Sequence, residues 1–136
     1  MTTTRPSRRK RLLLTGFGSF LLFVLAFVIF FYLNFQTVSV KGNSMEPTFQ
    51  NGRRVLVSQA YWLVGDIKKD DIVVLKEPGS GDIVIKRVYA LGGDVVDMRN
   101  IPEDWSIGNG EYRVPENKYY VIGDNKPVSE DSRRFG

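Results

Sequence analysis

The chain has 136 residues with no cysteine and no histidine. That length allows one small folded domain, and the two absences exclude a disulfide framework, a thiolate nucleophile, a cysteine zinc site, a Ser-His-Asp triad and a His-ligated metal. The formal charge of +4 does not signal nucleic acid, because Arg5, Arg8, Arg9, Lys10 and Arg11 stand in the first eleven residues and the other 14 basic side chains face 15 acidic ones, too balanced for a phosphate-binding face.

Residues 12–35 read LLLTGFGSFLLFVLAFVIFFYLNF, 24 residues whose one ionisable group is the Tyr32 phenol. As a helix they would extend roughly 36 Å, enough to cross a hydrocarbon core of about 30 Å. A domain this small could not surround such a helix as its core. A cleaved signal peptide would end in small residues, whereas this run ends in Phe31, Tyr32, Leu33, Asn34 and Phe35, so an uncleaved anchor is expected. The cationic start then stays inside. The expected organisation is a cytoplasmic tail at 1–11, a transmembrane anchor at 12–35 and an extracytoplasmic domain at 36–136.

After the anchor come short β-type runs at Thr37–Val40, Arg53–Ser58, Ile72–Leu75, Ile83–Leu91, Val95–Arg99 and Lys118–Gly123. Turn residues at Asn51-Gly52, Pro78-Gly79, Gly92-Gly93 and Gly108-Asn109-Gly110 separate them, which predicts a mostly antiparallel β domain. Gln59–Val64 reads either as a short helix or as an irregular apolar edge. Pro102–Gly110 reads as a surface loop with Trp105 folding back.

Without histidine, a hydrolase of this composition must draw its base from Lys, Asp, Glu or Tyr. Ser44 lies in Gly42-Asn43-Ser44-Met45-Glu46-Pro47-Thr48, directly after a predicted strand. A serine in such a turn can present its hydroxyl to a cleft ringed by main-chain N–H groups, and Pro47 holds Glu46 extended; it is equally readable as a plain turn residue. Lys86 lies in Ile83-Val84-Ile85-Lys86-Arg87-Val88-Tyr89, where alternation puts it on the face of Val84 and Val88. Loss of hydration there lowers a lysine pKa and makes the neutral amine a usable base. The alternative is a lysine that snorkels to water or pairs with an acid such as Asp82. The run from Gly123 to Gly136 mixes turn formers, hydroxyls and alternating charges. It reads either as a solvated loop or as a support, with a hydroxyl holding the lysine amine and a carboxylate–arginine pair bracing its strand.

In this order the basic tail, the anchor and the three segments, together with Asp71-Ile72-Val73-Val74, resemble the bacterial type I signal peptidases, membrane-bound Ser-Lys dyad proteases. The resemblance implies a mostly β domain built around a coiled β-sheet. It also implies a catalytic Ser44 with Lys86 as base, Ser129 orienting Lys86, a structural ion-pair group of Asp131, Arg133 and Arg87, and Met45 and Ile85 bordering the substrate groove. It implies no metal and no organic cofactor. The partners it implies are signal peptides of exported preproteins, bound as an extended strand with small residues at the first and third positions before the cut, and membrane lipid; nucleic acid is not among them.

Two departures stand out. Some members carry a hydroxyl residue two positions before the nucleophile, where this chain has Gly42, so main-chain donors and water are expected to serve there. Family chains usually continue past the last box with further strand and a Gly-Lys-type segment, so a domain ending at Gly136 is expected to be either incomplete or unusually short. The rival readings are a soluble self-cleaving Ser-Lys regulator, against which the 12–35 span argues, and a non-catalytic assembly factor, which would be expected to have lost Ser44 or Lys86.

Overall fold

A 27-residue helix, α1 (Arg8–Asn34), opens the computed structural model, which describes residues 7–77 and 79–136. Residues 1–6 of the expected tail and Pro78 of the expected Pro78-Gly79 turn lie outside the described residues. The chain divides into two units, Met1–Gln36 with Ser58–Ala60, and Thr37–Val57 with Tyr61–Gly136.

In the first unit α1 is uncharged and apolar all round beyond Arg11, buries none of its residues and is long and apolar enough to cross a membrane. Its first turns hold Arg8, Arg9, Lys10 and Arg11. Cations at a helix N-terminus oppose the macrodipole, so these four do not serve helix stability; they suit a membrane address. The helix therefore begins four residues before the predicted span. It stops where Phe35 turns to extended backbone and stacks its ring on Phe31 at 4.6 Å.

Strand β1 (Phe35–Ser39) pairs with β2 (Arg54–Ser58). The pairing is prolonged by Val40 N–H to Arg53 O at 2.7 Å and Gly52 N–H to Val40 O at 2.8 Å. These bonds make residues 41–51 the long loop of a hairpin. Next come α2 (Tyr61–Val64), β3 (Ile72–Lys76), β4 (Ile83–Ala90), β5 (Val95–Val96), β6 (Tyr112–Arg113), β7 (Tyr120–Ile122) and α3 (Ser132–Phe135). Strand β4 is central in an antiparallel sheet of order β3-β4-β7, opposing Val73 to Lys86 and Arg87 to Ile122. Strands β5 and β6 form a separate antiparallel pair.

Two apolar clusters flank β4. Ala90, Val96, Val114, Tyr120 and Ile122 form one, with Tyr89, Ile101 and Tyr112 packed on it. Val40, Met45 and Ile85 form the other, with Val38, Phe49, Val55 and Val74 around it.

Several predicted elements differ in extent. Val95–Arg99 ends as strand at Val96, because the Asp97 carboxylate accepts from Arg99 N–H at 3.0 Å and from Asn100 Nδ2 at 2.8 Å, closing a turn. Lys118–Gly123 begins pairing at Tyr120. Gln59–Val64 contains the short helix α2, resolving that alternative. Tyr112–Arg113, outside the predicted strands, is a strand, too short to leave a periodic signal. Trp105 does fold back, donating to Gly110 O at 3.1 Å with its ring 5.1 Å from that of Tyr112.

Candidate active site

The β4 lysine is one of few buried charged side chains: Lys86 is 5% exposed. The strand dictates this, since Lys86 shares its face with Val88, which is fully buried, and sits opposite Val73 of β3. Its Nζ donates to Ser129 Oγ at 3.1 Å. Burial pushes the Lys86 pKa below the ordinary lysine value, and it does so against the attraction of Asp131, Glu77 and Glu130.

Ser44 and Lys86 are drawn into one neighbourhood by Gly123, the residue after β7. A Cβ added at Gly123 would lie 2.1 Å from Ser129 Oγ, 2.6 Å from Ser129 Cβ and 2.6 Å from the Ser44 carbonyl oxygen. Only a glycine permits that approach. The same segment grips the serine loop directly: Asn125 N–H donates to Ser44 O at 2.8 Å and Asn125 Nδ2 to Asn43 O at 3.0 Å. Ser44 is half-buried, and its Oγ makes no hydrogen bond among the described residues. Gly42 has φ +79°, a left-handed backbone in which a side-chain-bearing residue is strained. A glycine suits that backbone.

The carboxylates are committed to structure. The Asp131 side chain has no exposed surface and pairs with Arg133 Nε at 2.9 Å. It also accepts from Gly123 N–H at 3.0 Å and caps α3. Burial works to raise its pKa, but hydrogen bonds from Arg133, Ser129 and Gly123 N–H outweigh that and hold the carboxyl below its usual range.

Arg87 departs from the expected grouping with Asp131 and Arg133. It makes a two-pronged pair with Asp124, Nε to Oδ1 and Nη2 to Oδ2 both at 2.8 Å. The reason is strand alternation: neighbours on β4 point to opposite faces, so Arg87 cannot join the group on the Lys86 side. Asp124 also accepts from Thr48 Oγ1, tying the serine loop to β4. Its pKa is lowered, first by the Arg87 hydrogen bonds.

Met45 and Ile85, expected to border the groove, are 1% and 7% exposed and pack with Val40 in the second cluster. They form interior beneath the loop, and the partly open apolar surface there belongs to Val38, Phe49, Val55 and Val74. Sequence reasoning missed Thr48 and Asn125 as supports. Both lie inside the motifs already singled out, but their partners are some 76 and 82 positions away, a relation that no local pattern carries.

The signal peptidase, peptidase S26, family model matches residues 13–102 and 102–136. Signal peptidase I S of Bacillus subtilis (strain 168) is 32% identical, the match covering 98% of this chain and 84% of that protein. Signal peptidase I of Bacillus amyloliquefaciens is 34% identical over 81% of this chain and 71% of its own length. Signal peptidase IB of Staphylococcus aureus (strain COL) is 30% identical over 82% and 76%. The chain belongs to the signal peptidase family, peptidase S26. It is a serine endopeptidase whose mostly β domain follows a single N-terminal membrane anchor.

Proposed function

We propose that this chain removes signal peptides from exported preproteins with Ser44 as nucleophile and Lys86 as general base. The carrying observation is the junction at Gly123, whose Cα faces both the Ser44 carbonyl and the Ser129 side chain that receives Lys86 Nζ. A buried lysine with a lowered pKa supplies the neutral amine that a histidine-free protease needs. Lys86 takes the Ser44 proton as Oγ attacks the scissile carbonyl, then returns it to the leaving amine. Water, activated in the same way, releases the acyl group. The Ser44–Lys86 hydrogen bond forms when substrate closes the site, as catalytic bonds commonly tighten in the Michaelis complex. Ser129 orients the amine, and Asp131 with Arg133 braces the segment that carries Ser129. The substrate lies extended along the apolar surface of Val38, Phe49, Val55 and Val74, with small residues at the first and third positions before the cut.

The domain division proposed is a cytoplasmic tail at 1–11, an anchor at 12–35 and an extracytoplasmic peptidase domain at 36–136. Its support is the basic start of α1 followed by an uncharged apolar run. The test of the chemistry is Ser44→Ala, which should abolish preprotein cleavage and labelling by an acylating lipopeptide or β-lactam-like inhibitor while leaving the melting temperature within a few degrees. Near-native cleavage by the folded variant would remove the nucleophile assignment.

A further inference from the structure

Asn125 holds both peptide groups that flank Ser44. Its backbone N–H donates to the carbonyl of Ser44 at 2.8 Å, and its side-chain Nδ2 donates to the carbonyl of Asn43 at 3.0 Å. The Asn43 carbonyl takes a second bond from Glu46 N–H at 3.2 Å. The peptide joining Asn43 to Ser44 is trans, the cis bond among the described residues being Glu46–Pro47. In a planar trans peptide the C=O and N–H point in opposite directions, so fixing the Asn43 oxygen fixes the Ser44 N–H. That N–H meets no acceptor among the described residues. It is a directed, free donor on the nucleophile itself.

We infer that Asn125 is a positioning residue for the oxyanion site: its side-chain amide aims the Ser44 N–H at the oxygen that becomes negative during acyl transfer. The inference rests on the reading of Ser44 as nucleophile. When Oγ bonds to the scissile carbon, the carbonyl π pair moves onto oxygen, and a donor already oriented there stabilises the charge without reorganising. Gly42 brings no hydroxyl to help, so the direction of the main chain carries more of this stabilisation. Asn125 is itself anchored: the preceding Asp124 is tied to Arg87 and Thr48, so the amide is held from a braced segment. Chemistry also dictates the residue type. A carbonyl partner requires a donor, and an aspartate of the same shape offers only acceptors when ionised.

The full-length chain in phospholipid-detergent micelles tests this with Asn125→Ala and Asn125→Asp, alongside Ser44→Ala. The readouts are kcat, KM and affinity for a peptide aldehyde ending at the cleavage position, whose serine adduct carries the tetrahedral oxygen. Titration with an acylating inhibitor normalises each rate to folded enzyme. For both variants kcat should fall about tenfold or more, short of the ~10²–10³ expected from losing an oxyanion donor outright. Aldehyde affinity should fall in parallel, KM should change less than about twofold, and the pH midpoint set by Lys86 should stay in place. Wild-type kcat in Asn125→Asp would show that the side chain merely fills space, and a raised KM at unchanged kcat would make it a substrate contact. Either result overturns the inference. If Ser44→Ala is inactive while the Asn125 variants run at the wild-type rate, the positioning role alone fails; if Ser44→Ala cleaves, the nucleophile reading itself has failed.

Discussion

Strand β4 runs between two neighbourhoods, and each is closed by a glycine pressed against another segment. At the Lys86 end, a Cβ on Gly123 would strike Ser129 and the Ser44 carbonyl at 2.1 to 2.6 Å. Past the Ala90 end, a Cβ on Gly92 would strike the Glu116 backbone, 2.2 Å from its oxygen and 2.6 Å from its carbonyl carbon. The packing device is the same, but the atoms pressed upon differ. Near Gly92 they are main chain beside an apolar cluster of Ala90, Val96, Val114, Tyr120 and Ile122, so that end stores fold stability. Near Gly123 they are the groups that hold a buried amine and a serine, so close packing there sets the geometry of the proposed catalytic pair.

Alanine at the two positions separates these roles. Both substitutions overpack, and each should cost about 1–3 kcal/mol of stability. Measured below both melting temperatures and normalised to folded enzyme, Gly123→Ala should cleave preprotein at least ~10²-fold more slowly, because a misplaced catalytic group forfeits that much. Gly92→Ala should stay within about threefold of wild type. Equal losses of activity in the two would mean that both junctions serve the same role.

The ion pairs differ in burial as well. The Asp131 side chain is fully buried against Arg133, whereas the Arg87 and Asp124 side chains keep 32% and 17% exposure. Asp131→Asn should lose about 3 kcal/mol by thermal melting, the low end for breaking a buried pair, and Asp124→Asn about 1 kcal/mol. The folded pKa of Asp131 lies below its unfolded value. Its contribution is therefore fully present above the unfolded pKa of about 3.9 and is lost as pH falls through the folded one. Melting curves from pH 6 down to 2 should show wild type converging on Asp131→Asn. Parallel curves would mean that the carboxylate adds no charge-dependent stability.

The smallest effect concerns Lys86. Its folded pKa lies below 10.5, so the unfolded chain binds the proton more readily and wild-type stability rises with pH between the folded and unfolded values. Lys86→Met should therefore melt slightly higher than wild type near neutral pH, with the difference closing as pH approaches the unfolded lysine value. A lower melting temperature for the methionine variant at pH 7 would mean that the ammonium is held favourably, against a role as neutral base.

How much of this was legible in the sequence follows from how local each signal is. The anchor, the strand around Lys86 and the loop around Ser44 declare themselves through an uncharged apolar run, alternation and turn residues, each within a dozen positions. Alternation also separates Lys86 from Arg87, so the pairing of Arg87 with Asp131 could have been doubted at once; its true partner, Asp124, needed the register of β4 against β7. Met45 and Ile85 could not be sorted from sequence into interior or groove wall, because apolar residues serve both and burial is decided by what the 41–51 loop folds over. The grip of Asn125 on Ser44 is a contact between distant segments through backbone atoms, which side-chain patterns do not encode.

If Lys86 acts as a neutral amine and not as a fixed charge, single-turnover cleavage by Lys86→Arg exposes the difference. Arginine keeps the charge and approximate length but stays protonated, so it cannot accept the Ser44 proton. Lys86→Arg should be as inactive as Lys86→Met, while the wild-type single-turnover rate should rise with pH to a midpoint below the ~10.4 of a free lysine. Cleavage by Lys86→Arg near the wild-type rate would contradict the neutral-amine role and move the search for the base elsewhere.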